Sequence, residues 1–183
     1  MADLAPLDLG FQGRDRVIGA YVLDTEDGPA LFDCGPASSI PRLKDGLGER
    51  GLALSDIRHL LLSHIHLDHA GAAGSLVREH PGLQVHVSEI GAPHLLDPSR
   101  LEASARRLYG DAFDTLWGEL APVPEENLHV VGPNVVGAGA DEEAFAKHVR
   151  DEIGESADDY EHAMPFWQSY AGLKRFVDKR ATA

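Results

Sequence analysis

The chain has 183 residues, 43% hydrophobic and 25% charged, which suits one soluble domain with a sizeable core. Its 16 Lys and Arg against 30 Asp and Glu give a net charge of −14. That balance argues against nucleic acid and anionic membrane surfaces as partners, because proteins that bind them carry basic patches. A single cysteine, Cys34, excludes an intrachain disulfide and fits a reducing compartment. The N-terminal residues lack a basic-then-apolar leader, and no apolar run approaches the ~20 residues of a membrane helix. The expectation is a soluble, cytoplasmic protein.

In chain order, residues 19–23 and 30–32 read as short strands, and Thr25-Glu26-Asp27-Gly28 between them carries an Asp-Gly hairpin signal. Cys34, just after Phe32-Asp33, reads as a buried structural thiol. Ile40, Leu43 and Leu47 at helical spacing predict a helix over 39–50, stopped by Gly51. Residues 54–57 connect to a strand over 58–62. A helix over 70–79 ends at His80-Pro81-Gly82, and 84–88 is another strand. A helical pair follows over 99–108 and 111–119, with Leu101, Ala105 and Leu108 on one face. Beyond Gly132 a Gly-rich stretch leads into an acidic, helix-like tail, whose residues 151–161 read as a solvated face and not as a metal site. No internal repeat is visible.

The segment Ser63-His64-Ile65-His66-Leu67-Asp68-His69-Ala70-Gly71 carries the chemistry. It places three imidazoles and a carboxylate in six residues, directly after the apolar strand residues Leu60-Leu61-Leu62. Neutral imidazole and carboxylate are ligands that suit zinc first, with iron and manganese as alternatives. At i and i+2, His64 and His66 can point the same way as an extended chain leaves its strand. Asp68 and His69 can then reach a second metal position or orient a bound water.

This segment resembles the metal-binding signature of the metallo-β-lactamase-fold hydrolases, the superfamily that includes glyoxalase II and many lactonases and thioesterases. Ala20-Tyr21-Val22-Leu23 and Ala30-Leu31-Phe32-Asp33-Cys34-Gly35 resemble the family's opening strands and its Asp-x-Gly turn. Ala70-Gly71-Ala72-Ala73-Gly74 resembles the start of the helix behind the metal loop. The resemblance covers residues 7–131 and implies an α/β fold, a partial αβ/βα sandwich with a helical C-terminal tail. It divides the chain into residues 1–132, the N-terminal half of such a domain, and 133–183, a linker and acidic helical segment.

The resemblance also implies the site. His64 and His66 would hold a first ion, and Asp68 and His69 a second, so one or two zinc ions are expected. Asp68 would be catalytic, orienting water and passing a proton to the leaving group, and Asp33 would tighten the loop by hydrogen bonds. A metal lowers the pKa of bound water towards ~7, so that it can attack a carbonyl. The implied reaction is hydrolysis of an ester, thioester, lactone or similar bond in a small-molecule substrate.

Three family features have no counterpart here: a histidine in a Thr-Pro-Gly-His-like turn, a bridging aspartate in a Gly-Asp turn, and a histidine near a late strand. Each ion is left with two identifiable ligands where a catalytic zinc normally has three. The alternative expectation is therefore a truncated, non-catalytic remnant or a binding protein with a weak metal site. Of the other histidines, His59, His86, His94, His129, His148 and His162 each read more readily as solvated or core residues than as ligands. His129 is the first candidate to replace a missing one. Without the second sheet, an inner face including Val22, Leu31 and Leu61 needs a cover. Phe166, Trp167, Tyr170 and Phe176 could supply it, or a second copy in a homo-oligomer.

Overall fold

The computed structural model describes residues 6–25 and 27–131. The segment 133–183, with His148, His162, the acidic run and the four tail aromatics, lies outside the described residues. Among the described residues, six strands form one mixed sheet in sequential order: β1 (Leu7–Asp8), β2 (Gly19–Thr25), β3 (Gly28–Phe32), β4 (His59–Leu61), β5 (Gln84–Ser88) and β6 (Leu128–Val131). The first three are antiparallel neighbours, and β3 to β6 run parallel. Each parallel step needs a long crossover. These contain α1 (Ile40–Glu49), then α2 (Leu67–Ala70) and α3 (Ala73–Glu79), and finally α4 (Ala92–Leu96), α5 (Ser99–Tyr109) and α6 (Phe113–Trp117).

The β2–β3 hairpin closes on Thr25 paired with Gly28, and Thr25 Oγ1 donates to the Gly28 carbonyl at 2.6 Å. Gly28 is thus the first residue of β3 and not the centre of the turn; its φ of +104° explains the glycine. Leu43 and Leu47 are the fully buried stripe of α1, as their spacing predicts, and Gly51 follows the helix at φ +73°. The helix expected over 70–79 is two, α2 and α3. His94 lies inside α4, and Pro93 sits in its first turn, where its missing N–H costs nothing. Leu108 is 76% exposed, so the buried side of α5 is Leu101 and Ala105 without it.

One face of the sheet holds the main core. Leu31, Leu60 and Val85 stand side by side on β3, β4 and β5 under Leu43 and Leu47 of α1 and Leu76 and Val77 of α3, all essentially inaccessible. Each such side chain contributes about 1.5–3 kcal/mol by leaving water. Val22 joins this face because it pairs with Leu31. Leu61 does not: it pairs with Phe32, one residue out of phase with Leu31, and so points to the opposite face. There it forms a small cluster with Ala30, Phe32 and Leu23, which among the described residues contains no helix side chain. A third cluster packs Leu67 of α2 against Ala105 and Phe113, with Leu101, Trp117 and Leu120 around them. It ties α5 and α6 to the histidine-rich loop. Among the described residues, no helix is long and apolar enough to cross a membrane.

Candidate metal centre

The loop leaves the carboxyl end of β4, beside the carboxyl end of the parallel strand β3, the edge of an α/β sheet where ligands usually bind. Two segments meet there. After β3, Asp33 adopts φ +55°, a left-handed conformation that an aspartate tolerates better than most residues, and Gly35 follows at φ +67°. A Cβ on Gly35 would stand 2.3 Å from Leu9 Cδ1. This turn grips the loop through the backbone: Asp33 N donates to the Leu61 carbonyl, and Cys34 N and Gly35 N both donate to the His69 carbonyl at 2.8 and 3.1 Å. The Cys34 thiol also lies 3.3 Å from that carbonyl. Burial first, then the Asp33 charge, pushes this thiol well above its ordinary pKa, so it is a protonated structural group.

The Asp33 carboxylate is the organiser. It is 4% exposed. Its Oδ1 accepts from Ser63 N at 2.8 Å, and its Oδ2 accepts from Ser63 Oγ at 2.8 Å and from His69 Nδ1 at 2.8 Å. Ser63 Oγ also lies 3.0 Å from His64 Nδ1. One buried carboxylate thereby fixes the start of the loop and the ring of its last histidine. The expected loop-tightening role of Asp33 is matched by these contacts. Ser63 is the functional residue that sequence reasoning passed over; a small hydroxyl residue between the strand and the first histidine was the available signal.

The candidate ligands come together. The ring centroids of His64 and His66 are 4.6 Å apart, and those of His64 and His69 are 4.1 Å apart. His66 ends the extended stretch at ψ 153°, and α2 then brings Asp68 and His69 back beside it. Asp68 Oδ2 is 3.3 Å from His69 Nε2. Burial, reinforced by the charges of His69 and His66, holds His64 down to about 4, so at neutral pH it carries a lone pair. Burial opposes charge on His69, but the hydrogen bonds to Asp33 and Asp68 outweigh it and push that histidine up to about 9. The bond from His69, against the cost of burial, holds the Asp68 carboxyl below its ordinary range.

The donor set fits a divalent cation of the zinc class in kind. With His69 Nδ1 held by Asp33, its Nε2 is the nitrogen turned towards Asp68, the arrangement in which a carboxylate fixes the tautomer of a metal-binding histidine. Binding there would release the His69 proton. Among the described residues, however, no group of three or more His, Cys, Asp or Glu side chains is already arranged around one point. Of the other histidines, His129 meets Gln84 and the His86 ring and is not brought to the loop.

A family model described as the metallo-beta-lactamase superfamily matches residues 13–162. The lactamase-like protein adaB of Aspergillus niger is 32% identical over 143 residues, 71% of this chain; the chain spans 43% of the length of that relative. The FEZ-1 metallo-beta-lactamase of Legionella gormanii aligns over 69% of this chain and 42% of its own, at 18% identity and a TM-score of 0.51. BJP-1, a subclass B3 metallo-beta-lactamase of Bradyrhizobium japonicum, aligns over 43% of this chain and 30% of its own, at 33% identity and a TM-score of 0.41. The FEZ-1 likeness bears on the fold: six strands with a helical layer are a partial version of that architecture.

Proposed function

The chain belongs to the metallo-beta-lactamase superfamily, and on that premise we propose that it is a metal-dependent hydrolase of esters, thioesters, lactones or similar bonds in small molecules. The observation that carries this reading is the Asp33–Ser63–His69 clasp, beside which the His64 and His66 rings and the Asp68 carboxylate lie close together. His64 and His66 would hold one ion, and Asp68 with His69 a second; zinc suits them best. The metal's contribution is to acidify a water so that it can attack a carbonyl at neutral pH. Asp33 keeps the His69 ring oriented, and the Ser63 hydroxyl meets His64 Nδ1. Asp68, 43% exposed and held below its ordinary pKa by His69, would take a proton from water and return it to the leaving group.

A second reading, metal binding without turnover, is favoured by one observation: no three of these groups converge on a point among the described residues. One experiment separates the two. The zinc-loaded full chain is assayed against panels of ester, thioester and lactone substrates, beside Asp68→Asn. Turnover by the wild type that Asp68→Asn loses supports the hydrolase. Turnover unchanged in Asp68→Asn contradicts the role of Asp68, and a zinc-loaded chain inert on all three panels supports the second reading.

A further inference from the structure

The hydrogen-bond chain behind the loop has a direction. Asp33 Oδ2 receives Ser63 Oγ and His69 Nδ1, each at 2.8 Å, and Ser63 Oγ stands 3.0 Å from His64 Nδ1. A carboxylate only accepts, whereas a hydroxyl has one hydrogen to give and two lone pairs to offer. Two placements of the Ser63 hydrogen are open. If it pointed to His64 Nδ1, lone pairs of Ser63 Oγ would face those of Asp33 Oδ2 at 2.8 Å, a repulsion at a residue only 1% exposed. If it points to Asp33, the bond is charge-assisted and roughly twice as strong as one to a neutral nitrogen. The hydroxyl therefore donates to Asp33. Its oxygen then turns lone pairs towards His64, so the 3.0 Å contact is a hydrogen bond only when His64 Nδ1 carries a hydrogen. His69 Nδ1, 3.3 Å from the same Oγ, gives its own hydrogen to the nearer Asp33 Oδ2.

We propose that Ser63 is a positioning residue that relays Asp33 to His64: the serine hydroxyl fixes His64 with its hydrogen on Nδ1 and its lone pair on Nε2. A neutral imidazole has one donor and one acceptor nitrogen, so holding one sets the other. One carboxylate oxygen, Asp33 Oδ2, then orders two rings of the loop, His69 directly and His64 through one hydroxyl. The other oxygen, Oδ1, accepts from Ser63 N and keeps that hydroxyl in place. The relay gives a reason for a hydroxyl residue, and not a further apolar one, directly after Leu60-Leu61-Leu62. It deepens the hydrolase reading and rests on it for the use of Nε2, the nitrogen His64 would offer to an ion. The tautomer itself exists without one.

The relay is tested on the full chain in chelator at neutral pH, with neither metal nor substrate present. Long-range proton–nitrogen NMR spectra of the imidazole rings report which nitrogen of His64 carries the hydrogen, the signal being identified by its loss in His64→Gln. In the wild type the proposal expects Nδ1–H. In Asp33→Asn the side-chain amide donates to Ser63 Oγ, the hydroxyl turns to His64 Nδ1, and the hydrogen should move to Nε2. Ser63→Ala removes the acceptor, and the Nδ1–H population should fall. His64 protonated on Nε2 in the wild type overturns the relay, a result that needs no variant to fold. Nδ1–H kept unchanged in both Asp33→Asn and Ser63→Ala, with native circular dichroism, overturns it equally. Hydrolysis stands or falls separately. A chain inert on every substrate still supports the relay if Asp33→Asn inverts the tautomer, and an active chain with Nε2–H loses the relay and keeps the hydrolysis.

Discussion

Asp33 is where the account makes its sharpest demand on stability. Replacing it by alanine removes the acceptor of Ser63 N, Ser63 Oγ and His69 Nδ1. Ser63 is only 1% exposed, so water does not readily replace the acceptor of its N–H, while its hydroxyl can turn to His64 Nδ1. A buried donor left without a partner costs about 1–3 kcal/mol, so the Ser63 N–H alone sets a loss of about that size. His69 adds less, because its side chain is 30% exposed and solvent screens the lost ion pair. Asp33→Asn keeps one acceptor oxygen for Ser63 N and suits the same left-handed backbone. It turns the other oxygen into a donor facing His69 Nδ1, so the expected loss is about 1–2 kcal/mol. Urea unfolding of the full chain in chelator would read both as shifts in midpoint with an unchanged slope. Asp33→Asn should also weaken zinc binding about 10–100-fold through the disordered His69 ring. An alanine variant within about 0.5 kcal/mol of wild type, the range of ordinary surface substitutions, would refute the clasp. So would an asparagine variant as damaged as the alanine one.

Three further substitutions test the frame around the site. A Cβ on Gly74 would stand 2.0 Å from the Ala121 carbonyl oxygen and 2.7 Å from that of Pro122, both backbone atoms, so Gly74→Ala should destabilise by at least about 1–3 kcal/mol. Gly48→Ala, on the exposed side of α1 with nothing within 4 Å, should stabilise by about 0.4–1 kcal/mol; thermal melts of the pair should move in opposite directions. Asp8 caps the loop before β2 by accepting from Gly10 N and Arg16 N at 3.0 and 2.8 Å, and these bonds hold its pKa below the ordinary 3.8. Its stabilisation is therefore complete above that pH and is lost as pH falls through the lowered folded value. Asp8→Asn should flatten the acid limb of the stability curve, and an unchanged limb would show that the cap contributes nothing there.

The histidine-rich loop was legible because its candidate donors are contiguous and follow an apolar strand, so neither spacing nor fold had to be inferred. The strands of the hairpin, β4 and β5 were legible from apolar runs bounded by turn residues. The phase of Leu61 was not. Val22, Leu31 and Leu61 look alike as buried apolar positions, and only the parallel pairing of Leu31 with Leu60 sends Leu61 to the other face. α4 was hidden because it is five residues long and holds a proline, too short for a periodic signal. Ser63 was hidden because its partner, Asp33, is 30 residues away along the chain. The stacking of His86 on His129 depends on the register of β5 and β6, which no single-strand pattern contains.

The claim at the centre of this account is that the loop binds metal, and metal content per chain tests it most directly. Wild-type protein and His66→Ala, purified without chelator and equilibrated with zinc, are compared by plasma mass spectrometry. The account predicts that the variant holds at least one ion fewer per chain than the wild type. Equal metal content in the two, or a wild-type chain that takes up no zinc, would contradict it.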